Sequence, residues 1–371
     1  MKVDSCYIHI PFCRKKCGYC SFYSDTYNPG IAAVYIDVLK KQIDQLDGKF
    51  KTIYIGGGTP SILSTNLLKK LFFSLKKNIC SETEFTIEVN PESVNKSKLG
   101  LFLGSGINRL SIGVQSFNNN KLKALGRIHN AATSVQALNM AIAEGFKNIS
   151  IDLIFGVSGE TKNVWLQDLK TAVEFPLRHI SCYNLIIEKG SLLYRQQGSK
   201  SDSCLNDELL AEKYKQAVSF LKKQGLARYE VSNFAILGSE CRHNLNYWKN
   251  GSFYGIGASA VSYLKGIRKK RVCNIKAFTR GDKGCEYQEK LSPKKRAKET
   301  AALKIRTRQG IDFAWYKEKT GFDFLVIEKD ALIYLSQNKM VVGTRKKKRM
   351  TEIRLNDKGF LYSDIASINF L

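Results

Sequence analysis

Short β-like runs alternate with helical segments over the first half of the chain, and this rhythm limits the fold more than any other feature. The runs are Cys6 to Ile10, Thr52 to Gly56, Phe85 to Asn90, Arg109 to Gln115, Ile149 to Phe155 and Ile180 to Ile187. Residues 33–46, 66–76, 131–144 and 162–174 between them carry apolar residues at helical spacing. Strand and helix in alternation predict an α/β fold with a parallel sheet and right-handed crossovers.

The sequence changes character after about residue 200. Residues 205–223 have a helical pattern, and residues 229–263 are rich in aromatic residues and asparagine. The last part offers helices over 295–305 and 325–337, then a β-like return over 353–360. We therefore expect three parts, with bounds 1–200, 201–290 and 291–371.

Three cysteines follow the first β-like run, with the spacing C-x3-C-x2-C at Cys13, Cys17 and Cys20. Three thiolates on a compact loop suit an iron–sulfur cube that keeps one iron open for a small molecule. Structural zinc needs a fourth ligand, such as His9 or a distant cysteine, and usually pairs C-x2-C units. The spacing favours the cluster and leaves zinc as the alternative.

Small and acidic residues lie where the second and third β-like runs end. Gly57, Gly58 and Thr59 follow the second run, where glycines let a ligand approach the backbone, although a tight turn has the same pattern. Glu88 lies at the end of the third run, where its carboxylate could accept hydrogen bonds from ribose hydroxyls or cap the next helix. Because parallel strands bring their carboxyl ends to one edge of the sheet, we predict a binding site at that edge.

Three further polar residues continue this pattern along the next two runs. Gln115 closes the fourth run, Arg127 follows it, and Asp152 lies inside the fifth. An acid inside a strand is costly unless it is paired. An ion pair between Asp152 and Arg127 is therefore the structural alternative to a binding role.

A second group of candidate residues is found in the segment His243-Asn244-Leu245-Asn246-Tyr247-Trp248. His243 could coordinate iron, and Tyr247 and Trp248 could form aromatic walls for a flat macrocycle. An aromatic-rich segment is more often simple packing, so these residues alone are a weak signal.

The composition limits the cellular compartment and the binding partners that we predict. The chain has 371 residues, 43% of them apolar, and no run of about 18 apolar residues or secretory leader pattern, which predicts a cytoplasmic protein. Its net charge of +26 includes clusters at 268–271, 294–296 and 345–349, which form a solvated surface or contact an anionic membrane. No zinc-finger spacing or RNP-type motif accompanies the charge, so nucleic acid is not a predicted partner.

The remaining cysteines lack ligand spacing, and we expect them to be small buried residues. They are Cys6, Cys80, Cys182, Cys204, Cys241, Cys273 and Cys285.

The opening Tyr7-Ile8-His9-Ile10-Pro11-Phe12-Cys13 and the cysteine spacing resemble the radical S-adenosylmethionine (SAM) superfamily, in the branch that holds HemN and HemW. The resemblance implies a partial six-stranded (β/α) barrel and a smaller C-terminal domain. It also implies a [4Fe–4S] cluster on Cys13, Cys17 and Cys20 and heme contact at His243, Tyr247 and Trp248. The residues that it assigns to SAM are Tyr7, Tyr19, Gly57, Gly58, Thr59, Glu88, Gln115, Arg127 and Asp152.

The branch holds two activities, and the resemblance favours one of them. HemW is a heme chaperone, which implies heme as cargo, recipient hemoproteins such as membrane-bound respiratory enzymes, and an electron-donor protein. The alternative is oxygen-independent coproporphyrinogen III dehydrogenase, which uses a 5′-deoxyadenosyl radical to decarboxylate propionate side chains. That enzyme has a further cysteine two residues after the third ligand, where this chain has Phe22. The basic charge alone suggests a third class, RNA-modifying radical SAM enzymes. Whether SAM is cleaved in turnover stays open.

Overall fold

The computed structural model describes residues 3–197, 206–282, 284–346 and 349–371. The strands are β1 (Ser5–Ile10), β2 (Phe12–Cys13), β3 (Asp25–Thr26), β4 (Thr52–Gly57), β5 (Glu84–Val89), β6 (Arg109–Gln115), β7 (Ile149–Phe155), β8 (His179–Asn184), β9 (Ala227–Arg228), β10 (Asn233–Ala235), β11 (Tyr254–Ile256), β12 (Val261–Leu264), β13 (Ile267–Arg271), β14 (Cys285–Lys290), β15 (Ile311–Asp312), β16 (Val341–Lys346) and β17 (Arg349–Leu355). The helices are α1 (Pro29–Asp44), α2 (Thr65–Leu75), α3 (Lys96–Gly104), α4 (Asn119–Ala124), α5 (Ala131–Ala143), α6 (Lys162–Val173), α7 (Leu192–Gln197), α8 (Asp207–Lys223), α9 (Arg242–Trp248), α10 (Ile275–Thr279), α11 (Pro293–Lys304), α12 (Phe313–Thr320), α13 (Phe324–Ile327), α14 (Lys329–Gln337), α15 (Asp357–Leu361) and α16 (Ser363–Ile368).

The central sheet has the strand order β11-β1-β4-β5-β6-β7-β8-β10-β9. The run from β11 through β8 pairs in parallel, and β10 joins β8 in the antiparallel sense. Helices α1, α2, α3, α5 and α6 fall between successive parallel strands of the chain. The predicted α/β partial barrel, followed by a smaller C-terminal region, is confirmed, and β11 adds a seventh parallel strand to the six that were predicted.

The two faces of the parallel strands differ in chemistry, because successive residues of a strand point to opposite sides. On β4, Ile53 and Ile55 are fully buried in the main hydrophobic cluster, together with residues of α1 and α2. Tyr54, between them, points to the inner side of the barrel, where its hydroxyl donates to Glu88. The inner side also buries the charged Arg109. A polar barrel interior is stable only where its groups are paired or receive a ligand.

Helix α9 closes the amino-terminal end of the barrel. The carboxylate of Glu84, at the start of β5, accepts the backbone N–H groups of Arg242 and His243 at 3.0 Å each. These are the first residues of α9, where unpaired N–H groups and the helix dipole favour a negative charge. Glu84 thus fixes α9, whose first residues lie 158 and 159 positions later in the chain, to the amino-terminal end of the barrel, which we call the barrel floor.

Two predicted elements near the C-terminus were wrong in detail. The helix expected over 325–337 is broken into α13 and α14 at Glu328, which is buried and accepts a hydrogen bond from Tyr316 at 2.9 Å. The β-like return expected over 353–360 ends at Leu355. Asn356 then caps α15 by accepting from the N–H of Gly359, so a helix replaces the second half of the return.

The C-terminal region has its own hydrophobic cluster and a small sheet in the order β15-β17-β16. A backbone bridge between Glu230 and Thr307 links the two regions. The expected division into residues 1–200, 201–290 and 291–371 stays a prediction, and its first boundary lies outside the described residues.

The cysteines outside the cluster motif are not all buried. Cys6, Cys182 and Cys241 are buried as expected, but Cys80 and Cys285 are exposed, because they lie in a loop and on a fully exposed strand. Cys273 is partly exposed, and Cys204 lies outside the described residues. Within the described ranges, no helix has the length and apolar character needed to span a bilayer.

Candidate functional site

A cavity of about 410 Å³ opens where the parallel strands reach their carboxyl ends. Almost every residue that the sequence assigned to the cluster or to SAM lines it. These residues are Cys13, Cys17, Tyr19, Cys20, Gly57, Gly58, Thr59, Glu88, Gln115, Arg127 and Asp152. Residues far apart in sequence meet here because parallel strands bring their carboxyl ends to one edge. We call this space the strand-end cavity.

The three cysteines of the motif are partly buried and face the strand-end cavity together. Arg127 donates from Nη1 to the Cys17 sulfur at 3.3 Å, and the Thr59 hydroxyl donates to the Cys13 sulfur at 3.6 Å. Burial raises the pKa of the Cys13 and Cys20 thiols, so they favour the neutral form until a metal takes the thiolate. Three thiols with nearby donors to sulfur fit the ligand set of an iron–sulfur cluster.

The glycine-rich segment lets the loop of residues 13–24, which carries the three cysteines and which we call the cysteine loop, pack against β4. A Cβ at Gly57, whose φ is +115°, would lie 2.5 Å from the His9 ring. A Cβ at Gly58 would lie 2.6 Å from the Phe12 carbonyl oxygen and 3.0 Å from the Cys13 sulfur. These glycines therefore allow the approach of the protein's own cysteine segment, a role beyond the two that the sequence suggested, a ligand contact or a tight turn.

Two buried carboxyl groups, Glu88 and Asp152, face the strand-end cavity from β5 and β7. Glu88 accepts from the Tyr54 hydroxyl at 2.9 Å and from the Gly57 N–H at 3.0 Å. Burial, with the nearby Asp152 carboxylate, raises the pKa of Glu88 to about 7. Burial likewise raises the pKa of Asp152. Two acids held this close favour a ligand that brings positive charge or hydroxyl donors.

The alternative role for Asp152, an ion pair with Arg127, does not fit the geometry. The Arg127 guanidinium donates to the Cys17 sulfur, to Asn90 Oδ1 at 2.8 Å and to the Gly113 carbonyl at 3.0 Å. Among the described residues, no cation lies within ion-pair distance of Asp152. The assignment of Asp152 to SAM stays a prediction, and Arg127 supports the cysteine loop.

Gln115 has a strained backbone at the edge of the cavity. Its φ is +65°, in the left-handed region that non-glycine residues rarely adopt. The pairing of β6 with β7 shifts register between Ile112 and Gln115, which turns the end of the strand. Strain of this kind persists where the surroundings require it, and it is common at binding sites. The sequence could place Gln115 at the strand end but could not show its backbone conformation.

Tyr7 is the one predicted SAM residue that does not line the strand-end cavity. Its hydroxyl pairs with His9 Nδ1 at 3.0 Å, and its ring lines a second cavity. Its assignment to SAM stays a prediction.

The second cavity has a volume of about 710 Å³ and lies beside the first, with the cysteine loop between them. Lys16, Ser21 and Phe22 line both cavities. The other wall is formed by the segment from Tyr247 to Cys273, including β12 and β13. We call this space the side cavity. The sequence did not predict this cavity, because the cavity depends on how β12 packs beside β11 and on the bridge between Phe253 and Tyr263.

His243 does not offer a free nitrogen to a heme iron. It is 1% exposed, its Nδ1 pairs with the Thr52 hydroxyl at 2.8 Å, and its Nε2 pairs with the Tyr247 hydroxyl at 2.8 Å. Burial and the charge of Arg109 lower its pKa to about 3, so the ring is neutral. The predicted heme contact at His243 is not supported, since both ring nitrogens form hydrogen bonds at the barrel floor, one with Thr52 and one with Tyr247.

The two aromatic residues predicted with His243 have different positions. Tyr247 lines the side cavity, where its ring meets that of Phe253 at a centroid distance of 4.6 Å. Trp248 does not line the side cavity, and its ring packs against the Arg306 guanidinium at 5.3 Å. Its assignment to heme is therefore not supported, whereas the assignment of Tyr247 stays a prediction.

Comparison with known proteins agrees with this architecture. Residues 7–172 match the model of the Radical SAM superfamily. The heme chaperone HemW of Lactococcus lactis is 33% identical over 365 residues, covering 97% of this chain and 95% of the relative. HemW of Escherichia coli is 36% identical over 292 residues, covering 75% and 76%. This chain belongs to the HemW family of radical SAM proteins.

A solved structure supports the fold of this HemW family member. Coproporphyrinogen III oxidase (HemN) from Escherichia coli matches with a TM-score of 0.84 at 20% identity, covering 99% of this chain and 89% of the other. At this identity the likeness shows the fold alone. Membership in the radical SAM superfamily implies a [4Fe–4S] cluster and SAM as cofactors.

The first prediction concerns the cluster. Changing Cys13, Cys17 or Cys20 singly to Ala should remove most iron and sulfide and the broad absorbance at about 400 nm, because each thiolate binds a separate iron. Iron and sulfide analysis after anaerobic reconstitution measures this. Cys80→Ala is the control, because Cys80 is exposed and outside the cavity. A single cluster-motif variant with full iron and an unchanged spectrum would show that its cysteine is not a ligand.

The second prediction concerns SAM. Glu88→Gln and Asp152→Asn should each weaken SAM binding roughly ten- to a hundredfold, about 1.5–3 kcal/mol, while the cluster still assembles. SAM is a cation, so the affinity of the unchanged protein should rise from pH 6 to pH 8 as the Glu88 carboxyl, with a pKa of about 7, ionises. Glu88→Gln should lose that rise. Calorimetry measures both effects, with exposed Glu212→Gln as control. If the unchanged protein and both variants bound SAM with the same affinity at each pH, the two carboxyl groups would have a structural role only.

The third prediction concerns the barrel floor. His243→Ala should destabilise the protein by roughly 2–4 kcal/mol, because it leaves a void and removes the hydrogen-bond partner of the Tyr247 hydroxyl, whereas the Thr52 hydroxyl keeps its bond to Ser5. Thermal unfolding followed by circular dichroism measures the loss. Heme titration of the variant below its unfolding range should give the affinity of the unchanged protein. Unchanged stability with lost heme binding would instead restore His243 as a ligand.

Proposed function

We propose that this protein is a heme chaperone, which binds heme and transfers it to hemoproteins. The observation that carries the proposal is the likeness to HemW over almost the whole of both chains, 97% and 95% in the Lactococcus lactis relative. Both the cluster motif and the C-terminal region fall inside that match. The side cavity adds physical support, because it offers aromatic walls at a size suited to an organic cofactor.

The strand-end cavity is proposed to hold the cofactors that the superfamily implies. Cys13, Cys17 and Cys20 would hold the cluster, and Glu88 and Asp152 line the same cavity. When bound, a cluster with an open iron supplies a site for the amino and carboxyl groups of SAM and a source of one electron. We assign SAM contact to Tyr19, Gly57, Gly58, Thr59, Glu88, Gln115, Arg127 and Asp152.

The chain's own residues prepare this cavity. Arg127 fixes the cysteine loop through Cys17 and, by its bond to Asn90, ties the loop to the end of β5. Asn90 in turn donates to the Thr59 hydroxyl at 2.9 Å, which donates to the Cys13 sulfur. This continuous chain of hydrogen bonds holds two cluster ligands and the strand ends in one arrangement.

The partners follow from the proposed role. We propose heme as cargo, recipient hemoproteins that include membrane-bound respiratory enzymes, an electron-donor protein, and a cytoplasmic location. Contact with an anionic membrane is assigned to the basic segment 345–349, of which residues 347 and 348 lie outside the described ranges. The cluster at 268–271 is a weaker candidate, because Arg268 and Lys270 pair with glutamates of β14.

The fourth prediction separates the chaperone from the dehydrogenase. Protein reconstituted with its cluster and supplied with SAM and a reductant should bind heme, seen as a shifted Soret band, and should not decarboxylate coproporphyrinogen III. Phe22 is the physical reason, since the dehydrogenase has a cysteine there and Phe22 has no metal-binding atom. Product analysis for 5′-deoxyadenosine and protoporphyrinogen accompanies the titration. Decarboxylation coupled to 5′-deoxyadenosine release, or the absence of heme binding, would overturn the proposal.

A further inference from the structure

The walls of the side cavity are largely aromatic. Phe22 and Tyr23 come from the cysteine loop, and Tyr247, Phe253 and Tyr263 come from the opposite side. Phe22 is 68% exposed although it lies two residues after a cluster cysteine. An exposed aromatic side chain at the mouth of a cavity can stack on a flat ring system. The volume of about 710 Å³ lies within the range of roughly 300–1,000 Å³ that organic ligands occupy.

The charged side chains on this lining are all cations. They are Lys16, Arg268 and Lys270, and no aspartate or glutamate is among the described lining residues. Arg268 and Lys270 lie two residues apart on β13, so both project to the same face. Their cross-strand neighbours on β12 are Tyr263 and Val261, which also line the cavity. The register of one hairpin therefore places two cations beside an aromatic wall.

The cations differ in their present partners. Arg268 binds Glu299 and Glu289, and Lys270 binds Glu286 at 3.0 Å. In the part of the chain that the structure describes, no carboxylate lies within ion-pair distance of Lys16. Lys16 is therefore the lining cation most available to an anionic ligand, and it belongs to the loop that holds the cluster.

One buried polar group on the same wall also lacks a partner. The Tyr263 hydroxyl is buried without a hydrogen bond to any described residue. The nearby Asn250 amide instead donates to Glu299 and to Thr300, each at 3.0 Å. An unpaired buried hydroxyl is unfavourable, and a ligand with an acceptor atom at this wall would relieve the cost.

We propose that the side cavity is the heme site, with the macrocycle between Phe22 and the Tyr247–Tyr263 wall and the propionates directed to Lys16 and the β13 cations. Heme combines a flat aromatic ring with two carboxylates, and this cavity pairs aromatic walls with the cation of Lys16, which has no carboxylate partner among the described residues, and with two cations of β13. The assignment rests on the proposed heme-chaperone function and gives it a location. In this position heme lies on one side of the cysteine loop, and the strand-end cavity lies on the other side.

The test compares cavity variants with matched neighbours. Lys16→Glu should weaken hemin binding roughly tenfold through lost and reversed charge, and Phe22→Ala roughly three- to tenfold through lost stacking. Lys69→Glu and Phe73→Ala are the controls, because both residues are exposed on α2 and line neither cavity. Val261→Trp should block binding by filling the cavity. Hemin titrations follow the Soret band of reconstituted protein, and iron content and unfolding midpoint verify each variant.

A second probe tests the charge pairing. Hemin dimethyl ester, which lacks free carboxylates, should bind the unchanged protein more weakly than hemin, and Lys16→Glu should reduce that difference. If the unchanged protein binds no hemin, the chaperone function itself fails. If it binds hemin and the folded Lys16→Glu, Phe22→Ala and Val261→Trp variants bind it equally well, the chaperone function survives and the side-cavity assignment is overturned.

Discussion

The parallel register of β1 and β4–β8 is the constraint on which the rest of the structure depends. It sends alternate side chains to the inner face, so a slip of one residue would move Glu88 and Asp152 out of the interior and isoleucines into it. The same register brings the carboxyl ends of all six strands to one edge. The cysteine loop, the glycines and the acids then share a cavity without any direct sequence relationship.

An incomplete barrel must be completed by other parts of the chain, and the segment from Tyr229 to Lys270 does this. Its helix α9 is fixed to the floor by Glu84, its strand β11 extends the sheet beside β1, and its β12–β13 hairpin forms a wall of the side cavity. His243 belongs to this closure. The segment that the sequence associated with heme thus supports the barrel through its histidine and reaches the side cavity through Tyr247.

The sequence predicted the elements whose signal is local. Apolar runs located the parallel strands closely, with β6 and β7 matched at both ends, and cysteine spacing located the cluster loop. The position of a residue at a strand end was enough to predict most of the candidate residues that line the strand-end cavity. Features that depend on distant contacts could not be predicted. The pairing of both His243 ring nitrogens requires Thr52 and Tyr247, and the position of Lys16 near two further cations requires β13 on the opposite wall of the side cavity.

The central claim is that the cysteine loop separates two binding spaces, one for SAM and one for heme. The most direct measurement is a crystal structure of the cluster-loaded protein with both SAM and heme bound. The account predicts SAM between the cluster and the Glu88–Asp152 pair, and the heme plane against Phe22 with its propionates near Lys16. Heme coordinated by His243 in an opened barrel floor, or heme occupying the strand-end cavity, would contradict it.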